Sequence, residues 1–283
     1  MKKKKKGSFT NVILIFILLA GLSLLLYPTF SDYWNSLHQS RAITVYADSV
    51  AKLDDAHYKE ILDAAESYNE SLLLRLNQFS LTADQRRDYP KMLNVESNGI
   101  MGYIEIPSIR CTLPIYHGID EAVLQVAIGH IDWTSLPTGS VSTHTVLSGH
   151  RGLPSAKLFS ELDKLREGDL FMIRVLDELY TYEVDQILTV DPTEVDPLLI
   201  QEGKTLCTLV TCTPYGVNTH RLLVRGHRVE NPKEAVQVRV TSNAIQVEPT
   251  MVAVFVGVPL LLLLLPWILS DKKGNKPPRN SEE

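Results

Sequence analysis

The sequence predicts a mostly β protein: a closed or nearly closed barrel of short strands, preceded by helices and flanked by two transmembrane segments. Three observations predict it. Short runs rich in Val, Ile, Leu, Tyr and Thr, broken by Gly, Pro and Asp, fill the chain from about residue 99 to 231. Apolar residues recur at helical spacing before that point. Charge-free apolar runs stand near both ends, each next to lysines.

The first 11 residues carry five consecutive lysines, Lys2 to Lys6. They lead into an apolar stretch over 12–27 with no small-x-small cleavage pattern after it, so it reads as an uncleaved signal anchor. Residues 31–98 read as a helical region: Val50, Leu53, Ile61, Leu62, Ala65, Tyr68 and Leu72 share a helical stripe, and no proline falls between Ser31 and Tyr89. Strands are predicted over 102–106, 112–116, 145–148, 169–176, 179–190, 205–213 and 222–229, with short helices over 121–127 and 156–165. A linker over 232–250 leads to a second apolar run over 251–269, long enough to span a bilayer despite Pro259 and Pro266. Lys272, Lys273 and Lys276 follow in a tail over 270–283. Basic flanks favour the cytoplasm, so both ends are expected inside and the region between the spans outside, in a two-span membrane protein.

That outer region is acidic. Nine of the 28 Lys and Arg residues lie at the ends (Lys2 to Lys6, Lys272, Lys273, Lys276, Arg279), as do three of the 33 Asp and Glu (Asp271, Glu282, Glu283), which leaves 19 basic against 30 acidic residues. The lipid bilayer is therefore an expected partner and nucleic acid is not. No clustered carboxylate loop or His/Cys ligand set is present, so neither a metal nor another cofactor is expected.

Three cysteines are too few for a disulfide framework. Cys207 and Cys212 are five residues apart on a predicted strand, roughly 17 Å at 3.3 Å per residue, too far for a bond between them. Alternation sets Leu206, Thr208, Val210 and Cys212 on one face, and Cys207, Leu209 and Thr211 on the other. Cys111 and Cys207 read as small buried hydrophobes. Cys212 ends its strand beside a loop, where a thiol is either one more such residue or a nucleophile within reach of a substrate. A nucleophile needs a proton-transfer partner and a stabiliser for the oxyanion. His150, between glycines after an apolar run, is either a turn residue or that partner. Arg221, beginning the strand after the 214–220 loop, is either a surface ion pair or the oxyanion donor.

The segment TLVTCTPYGVNTHRLLVRG resembles the active-site strand–loop–strand of sortases, in which TLxTC is followed by an arginine nine residues beyond the cysteine, the separation of Cys212 and Arg221. LSGHRG resembles the catalytic-histidine segment of that family, with His150. Residues 102–118, 130–137, 152–165 and 185–200 are similar to the pilin-polymerising class C members, and the likeness spans about 72–230. The resemblance implies a sortase-type closed β-barrel of about eight strands in a Gram-positive cell membrane. It implies cleavage of an LPxTG-like sorting signal between Thr and Gly through a thioester on Cys212, with His150 moving protons and Arg221 holding the oxyanion. The acceptor amine would be a pilin lysine; a sortase of another class, anchoring surface proteins to peptidoglycan, is the alternative. A different thiol hydrolase and a non-catalytic pilus component are the more distant readings.

Class C enzymes usually carry an Asp-Pro-aromatic lid, and the matching position here is Asn77-Gln78-Phe79. Phe79 is either a cover for Cys212 or an ordinary core residue, and Asn77 lacks the charge an aspartate would offer Arg221. Leu136-Pro137-Thr138-Gly139 is shorter than a sorting signal and reads as a turn.

Overall fold

A computed structural model describes residues 7–75 and 77–233. The second apolar run over 251–269, the tail, most of the linker and the first six residues lie outside the described residues. The described residues fall into two units, 7–29 and 30–233.

In the first unit, residues 7–29 are helical, part of α1 (Gly7–Val50). Phe16, Leu24 and Leu25 are exposed along it. Among the described residues this is the one helix long and apolar enough to cross a membrane, by length and composition.

In the second unit, α1 continues to Val50, burying Ile43, Tyr46 and Val50. The Tyr46 hydroxyl donates to the Met101 carbonyl (3.0 Å) and accepts from the Leu176 N–H (2.7 Å), so it ties the helix to two barrel segments. Helix α2 (Asp55–Leu73) starts at Asp54, whose side chain accepts from the His57 N–H. It buries Ala65, Tyr68, Asn69 and Leu72, the i, i+3, i+4, i+7 stripe of an amphipathic helix. Asn69 accepts from the Leu136 N–H and donates to the Leu136 carbonyl and the Thr138 hydroxyl. The 136–139 segment is thereby held as an irregular turn with Gly139 at φ +69°. Helix α3 (Ala83–Asp88) opens with a reciprocal Thr82–Gln85 capping box.

The barrel has eight strands: β1 (Ile100–Ile106), β2 (Cys111–His117), β3 (Ile128–His130), β4 (Thr143–Ser148), β5 (Leu170–Val175), β6 (Glu178–Val190), β7 (Thr205–Thr213) and β8 (His220–Val229). They close in the order β1-β2-β3-β4-β7-β8-β6-β5. β2–β3 and β4–β7 are parallel and the other pairs antiparallel. Seven strands match the sequence expectation within two residues. The eighth, β3, is three residues long and carries too little alternation to show a period. The helix expected over 156–165 is absent. Turns and a 3₁₀ turn at Leu162–Lys164 form instead: the segment's local bonds are of the i→i−3 kind (Ser160 to Lys157, Leu162 to Phe159, Leu165 to Leu162), and the Phe159 N–H donates to the His150 carbonyl. Its apolar residues Ala156, Leu158, Phe159 and Leu162 are buried against the barrel instead. The helix expected over 121–127 is the short α4 (Glu121–Leu124).

Two histidines are structural. The His144 Nδ1–H donates to the Leu199 carbonyl (2.9 Å), so the neutral ring's Nε2 accepts from the Thr208 hydroxyl (2.7 Å). His130 Nε2 lies 2.9 Å from the Ser135 carbonyl, and its Nδ1 lies 2.9 Å from the Tyr89 hydroxyl. Burial lowers both rings to about 4. An unfolded histidine titrates near 6.5, so the unfolded chain takes up protons that the fold refuses as pH falls from about 6.5 toward 4. The stability these rings contribute is fully present above that window and is lost through it. Urea unfolding followed by tryptophan fluorescence should therefore show a midpoint that falls between pH 7 and 4.5, by on the order of 1–3 kcal/mol per ring. A flat midpoint across that range would contradict the buried neutral assignment.

Candidate active site

Three adjacent strands bring the predicted residues together. In the antiparallel pair β7–β8, Cys212 stands directly opposite Arg221. In the parallel pair β4–β7, Ser148 stands opposite Val210, and the ladder continues with the Gly149 N–H donating to the Val210 carbonyl (3.0 Å). The ladder ends there; continued two residues along the chain its register would set His150 level with Cys212, and the Thr211 hydroxyl's bond to the Gly149 carbonyl (2.7 Å) keeps the two segments side by side. Strands lie about 4.8 Å apart, so His150, Cys212 and Arg221 form a row across three neighbouring chains.

Alternation decides which face this row occupies. Val146, Val210 and Leu223 have the same parity as His150, Cys212 and Arg221, and they belong to a separate apolar cluster with Ile131, Val190 and Leu198. Leu147, Cys207, Leu209, Leu222 and Val224 point the other way into the main core. The three residues thus end an outward apolar track that Trp133 and Leu188 pack against.

The three thiols differ in surroundings: Cys207 is buried, whereas Cys111 and Cys212 are both half-buried. Cys207 is fully buried and its thiol is held well above its ordinary value by desolvation. Burial pushes the Cys111 thiol to about 12, and its sulfur lies 3.9 Å from the Leu158 carbonyl. Cys212 is half-buried. His150 is also half-buried, with Nε2 3.8 Å from an oxygen of the exposed Glu121. The Arg221 guanidinium reaches the His220 and Asn218 carbonyls at 3.2 and 3.5 Å, at the mouth of the β7–β8 loop.

The chain around His150 is tightly fitted. A Cβ on Gly149 would stand 2.7 Å from the Phe159 ring and 2.8 Å from Ile128. Gly152 turns the chain at φ +79°, a conformation glycine adopts without strain. Between them Arg151 reaches Thr213 and Asp163. Sequence reasoning missed Glu121, Arg151, Thr211 and Thr213. For the last two a signal existed, since both flank Cys212 with opposite parity.

The expected lid residues lie along the apolar track. The Phe79 ring meets Trp133 edge-on, with centroids 5.0 Å apart. Gln78 Oε1 accepts from the Ile200 N–H (3.1 Å). Asn77 Oδ1 accepts from the Phe79 N–H (3.0 Å), a turn within the segment itself. Among the described residues, no group of three or more His, Cys, Asp or Glu is arranged to hold a metal ion.

The Sortase domain family matches residues 104–229. The crystal structure of sortase C1 from Streptococcus agalactiae is 53% identical, with a TM-score of 0.66, covering 68% of this chain and 100% of that one. A Streptococcus pneumoniae sortase C structure, described as giving insight into catalysis and pilin substrate specificity, is 42% identical with a TM-score of 0.62, covering 68% and 97%. Sortase D of Bacillus subtilis (strain 168) is 30% identical over 137 residues, 47% of this chain and 66% of that protein. The chain belongs to the sortase family of cysteine transpeptidases. Within the family its structural likeness is to the class C enzymes.

One consequence concerns the thiols. Brief treatment of the folded protein with iodoacetamide near pH 8 should add a single adduct, at Cys212, because Cys111 and Cys207 are both desolvated as thiols. Intact-mass measurement would show that adduct vanish in Cys212→Ala; equal labelling of Cys111 would contradict the assignment.

Proposed function

We propose that this protein cleaves an LPxTG-like sorting signal between Thr and Gly and transfers the acyl group to a pilin lysine, polymerising pili. The observation that carries this is the row of His150, Cys212 and Arg221 at the end of an apolar track. The Leu-Pro part of the signal lies along the track. The Cys212 sulfur attacks the Thr carbonyl carbon, and a C–S bond forms as the carbonyl oxygen takes up negative charge. Arg221 donates to that oxygen. His150 protonates the departing Gly nitrogen, the C–N bond breaks, and a thioester remains. The incoming lysine amine gives a proton to His150 as it attacks the thioester, the C–S bond breaks, and the Cys212 sulfur leaves as the thiolate beside the protonated imidazole. Cys212, His150 and Arg221 are the catalytic residues in this reading, and no metal or cofactor takes part.

The exposed apolar helix supports membrane anchoring. We assign 12–27 as the anchor, 99–231 as the extracellular catalytic barrel and 251–269 as a second span, with both termini cytoplasmic. Residues 77–79 form the lid, resting on Trp133 over the track.

The full chain in detergent, given a fluorogenic LPxTG peptide and a lysine-bearing pilin fragment, tests the reaction. Wild type should form an acyl-enzyme detectable by mass. Cys212→Ala and His150→Ala should abolish turnover, and Arg221→Lys should lose roughly 100-fold or more, since lysine lacks the planar donor fork. A near-wild-type rate for Arg221→Lys would remove Arg221 from the mechanism. Transfer to a peptidoglycan precursor in place of the pilin lysine would establish the wall-anchoring alternative.

The lid is tested separately. Phe79→Ala removes the edge contact to Trp133 and should raise the peptide cleavage rate about threefold to tenfold, the range expected from one aromatic pair. An unchanged rate would make Phe79 a packing residue only.

A further inference from the structure

The parallel ladder between β4 and β7 ends at Gly149 and Val210, before it reaches the two residues whose separation matters most. Two side-chain hydrogen bonds take over. On one side of the reactive pair, the Thr211 hydroxyl donates to the Gly149 carbonyl (2.7 Å). On the other, Arg151 Nη1 donates to the Thr213 hydroxyl (3.2 Å). The four residues involved are the immediate chain neighbours of His150 and Cys212. Thr211 is buried, and its parity directs it away from the face that carries Cys212.

Arg151 is built to hold this position. Its side chain is 8% exposed, its Nη2 pairs with Asp163 in the 3₁₀ turn, and its guanidinium lies 5.8 Å from the Tyr215 ring centroid. Its Nε is buried with no partner among the described residues. A desolvated guanidinium so arranged is costly to move, because each partner it leaves exposes a buried charge. The rest of the segment is fixed as well: the Phe159 N–H donates to the His150 carbonyl, and the Gly152 N–H to the Ser160 hydroxyl (3.0 Å).

We propose that Thr211–Gly149 and Arg151–Thr213 form a bracket around Cys212 and His150, and that Arg151 and Thr213 are positioning residues that set the spacing of the sulfur and the imidazole. This rests on the assignment of Cys212 and His150 as the reacting pair. The bracket lies behind the pair, so it shapes the chemical step without touching substrate. A misplacement of about 1 Å in such a pair costs up to roughly 100-fold in rate.

The test uses the full chain in detergent with four variants: Thr213→Val, Thr213→Ser, Arg151→Lys, and Thr213→Val combined with Arg151→Lys. Two readouts are taken: kcat and KM for the fluorogenic peptide, and the pH profile of Cys212 alkylation by iodoacetamide. Thr213→Val keeps the shape of the side chain and removes only the hydroxyl, so it addresses the bracket even if Arg151→Lys folds poorly. The expected result is a fall in kcat of about tenfold or more in Thr213→Val, with KM within about twofold and a shifted alkylation profile. Thr213→Ser should restore both. The combined variant should lose no more than the worse single one, because both substitutions break the same bond. Wild-type kcat and profile in Thr213→Val, losses that multiply in the combined variant, or a change confined to KM would each overturn the bracket. A wild-type enzyme that leaves the peptide uncut would count against the transpeptidase reading alone, since the alkylation profile still reports on the pair.

Discussion

The register of β4 against β7, locked within a closed barrel, is the constraint on which the rest depends. Side chains alternate with a period of two, so a slip of one residue in either strand would turn every side chain to the opposite face. Val146 and Val210 would move into the interior, and Leu147 and Leu209 would move out. Closure prevents this, because every strand has two neighbours and no free edge along which to shift. The row of His150, Cys212 and Arg221 is the end of that register, continued through β8 by the Cys212–Arg221 pair.

The same strand shows how position rather than residue type sets a thiol's surroundings. Cys207 and Cys212 lie five residues apart on β7 with opposite parity. Cys207 faces the core with no exposure, where a thiolate would lose its hydration without gaining a partner. Cys212 faces outward at the strand's end, next to a histidine from one neighbour and an arginine from the other. The histidines divide likewise. His130 and His144 have both ring nitrogens engaged inside the fold and are held neutral. His150 is half-buried, with Nε2 3.8 Å from an oxygen of the exposed Glu121.

Much of this was legible in the sequence, and for identifiable reasons. Alternation along 205–213 fixed the faces of Cys207 and Cys212 before any coordinates, and the nine-residue spacing to Arg221 suits a hairpin that returns directly beside the cysteine. The buried stripe of α2 was equally plain, because Ala65, Tyr68 and Leu72 follow the helical period. Other features were not legible. β3 is too short to carry a period. Residues 156–165 have helical composition, but they form i→i−3 turns with the Phe159 N–H drawn to the His150 carbonyl, a tertiary bond that no local pattern encodes. Arg151 is invisible for the same reason: beside a histidine in a glycine-flanked loop it reads as surface charge, and only the packing of Asp163, Thr213 and Tyr215 around it shows otherwise. Asn77-Gln78-Phe79 could be aligned with a lid but not placed, since its contacts with Trp133 and Ile200 are long-range.

The rigid pair and the proposed lid impose opposite demands, and the contacts reconcile them. Chemistry at Cys212 needs fixed geometry, which backbone ladders and buried side-chain bonds supply. Substrate entry needs a cover that leaves at low cost. Among the described residues, the 77–79 segment is held by an aromatic edge contact and a side-chain-to-backbone hydrogen bond, while Asn77 turns its side chain onto its own segment. Contacts of these two kinds amount to roughly 1–3 kcal/mol together. A cover held by that much is open in roughly one molecule in six at the weak end and fewer than about one in a hundred at the strong end, and a peptide's apparent affinity is reduced by the same fraction. An aspartate at position 77, paired with Arg221, would add a charge-assisted bond and close the site further. With asparagine there, Arg221 has no carboxylate from the proposed lid to displace, and among the described residues its guanidinium is hydrogen-bonded to the Asn218 and His220 carbonyls beside it.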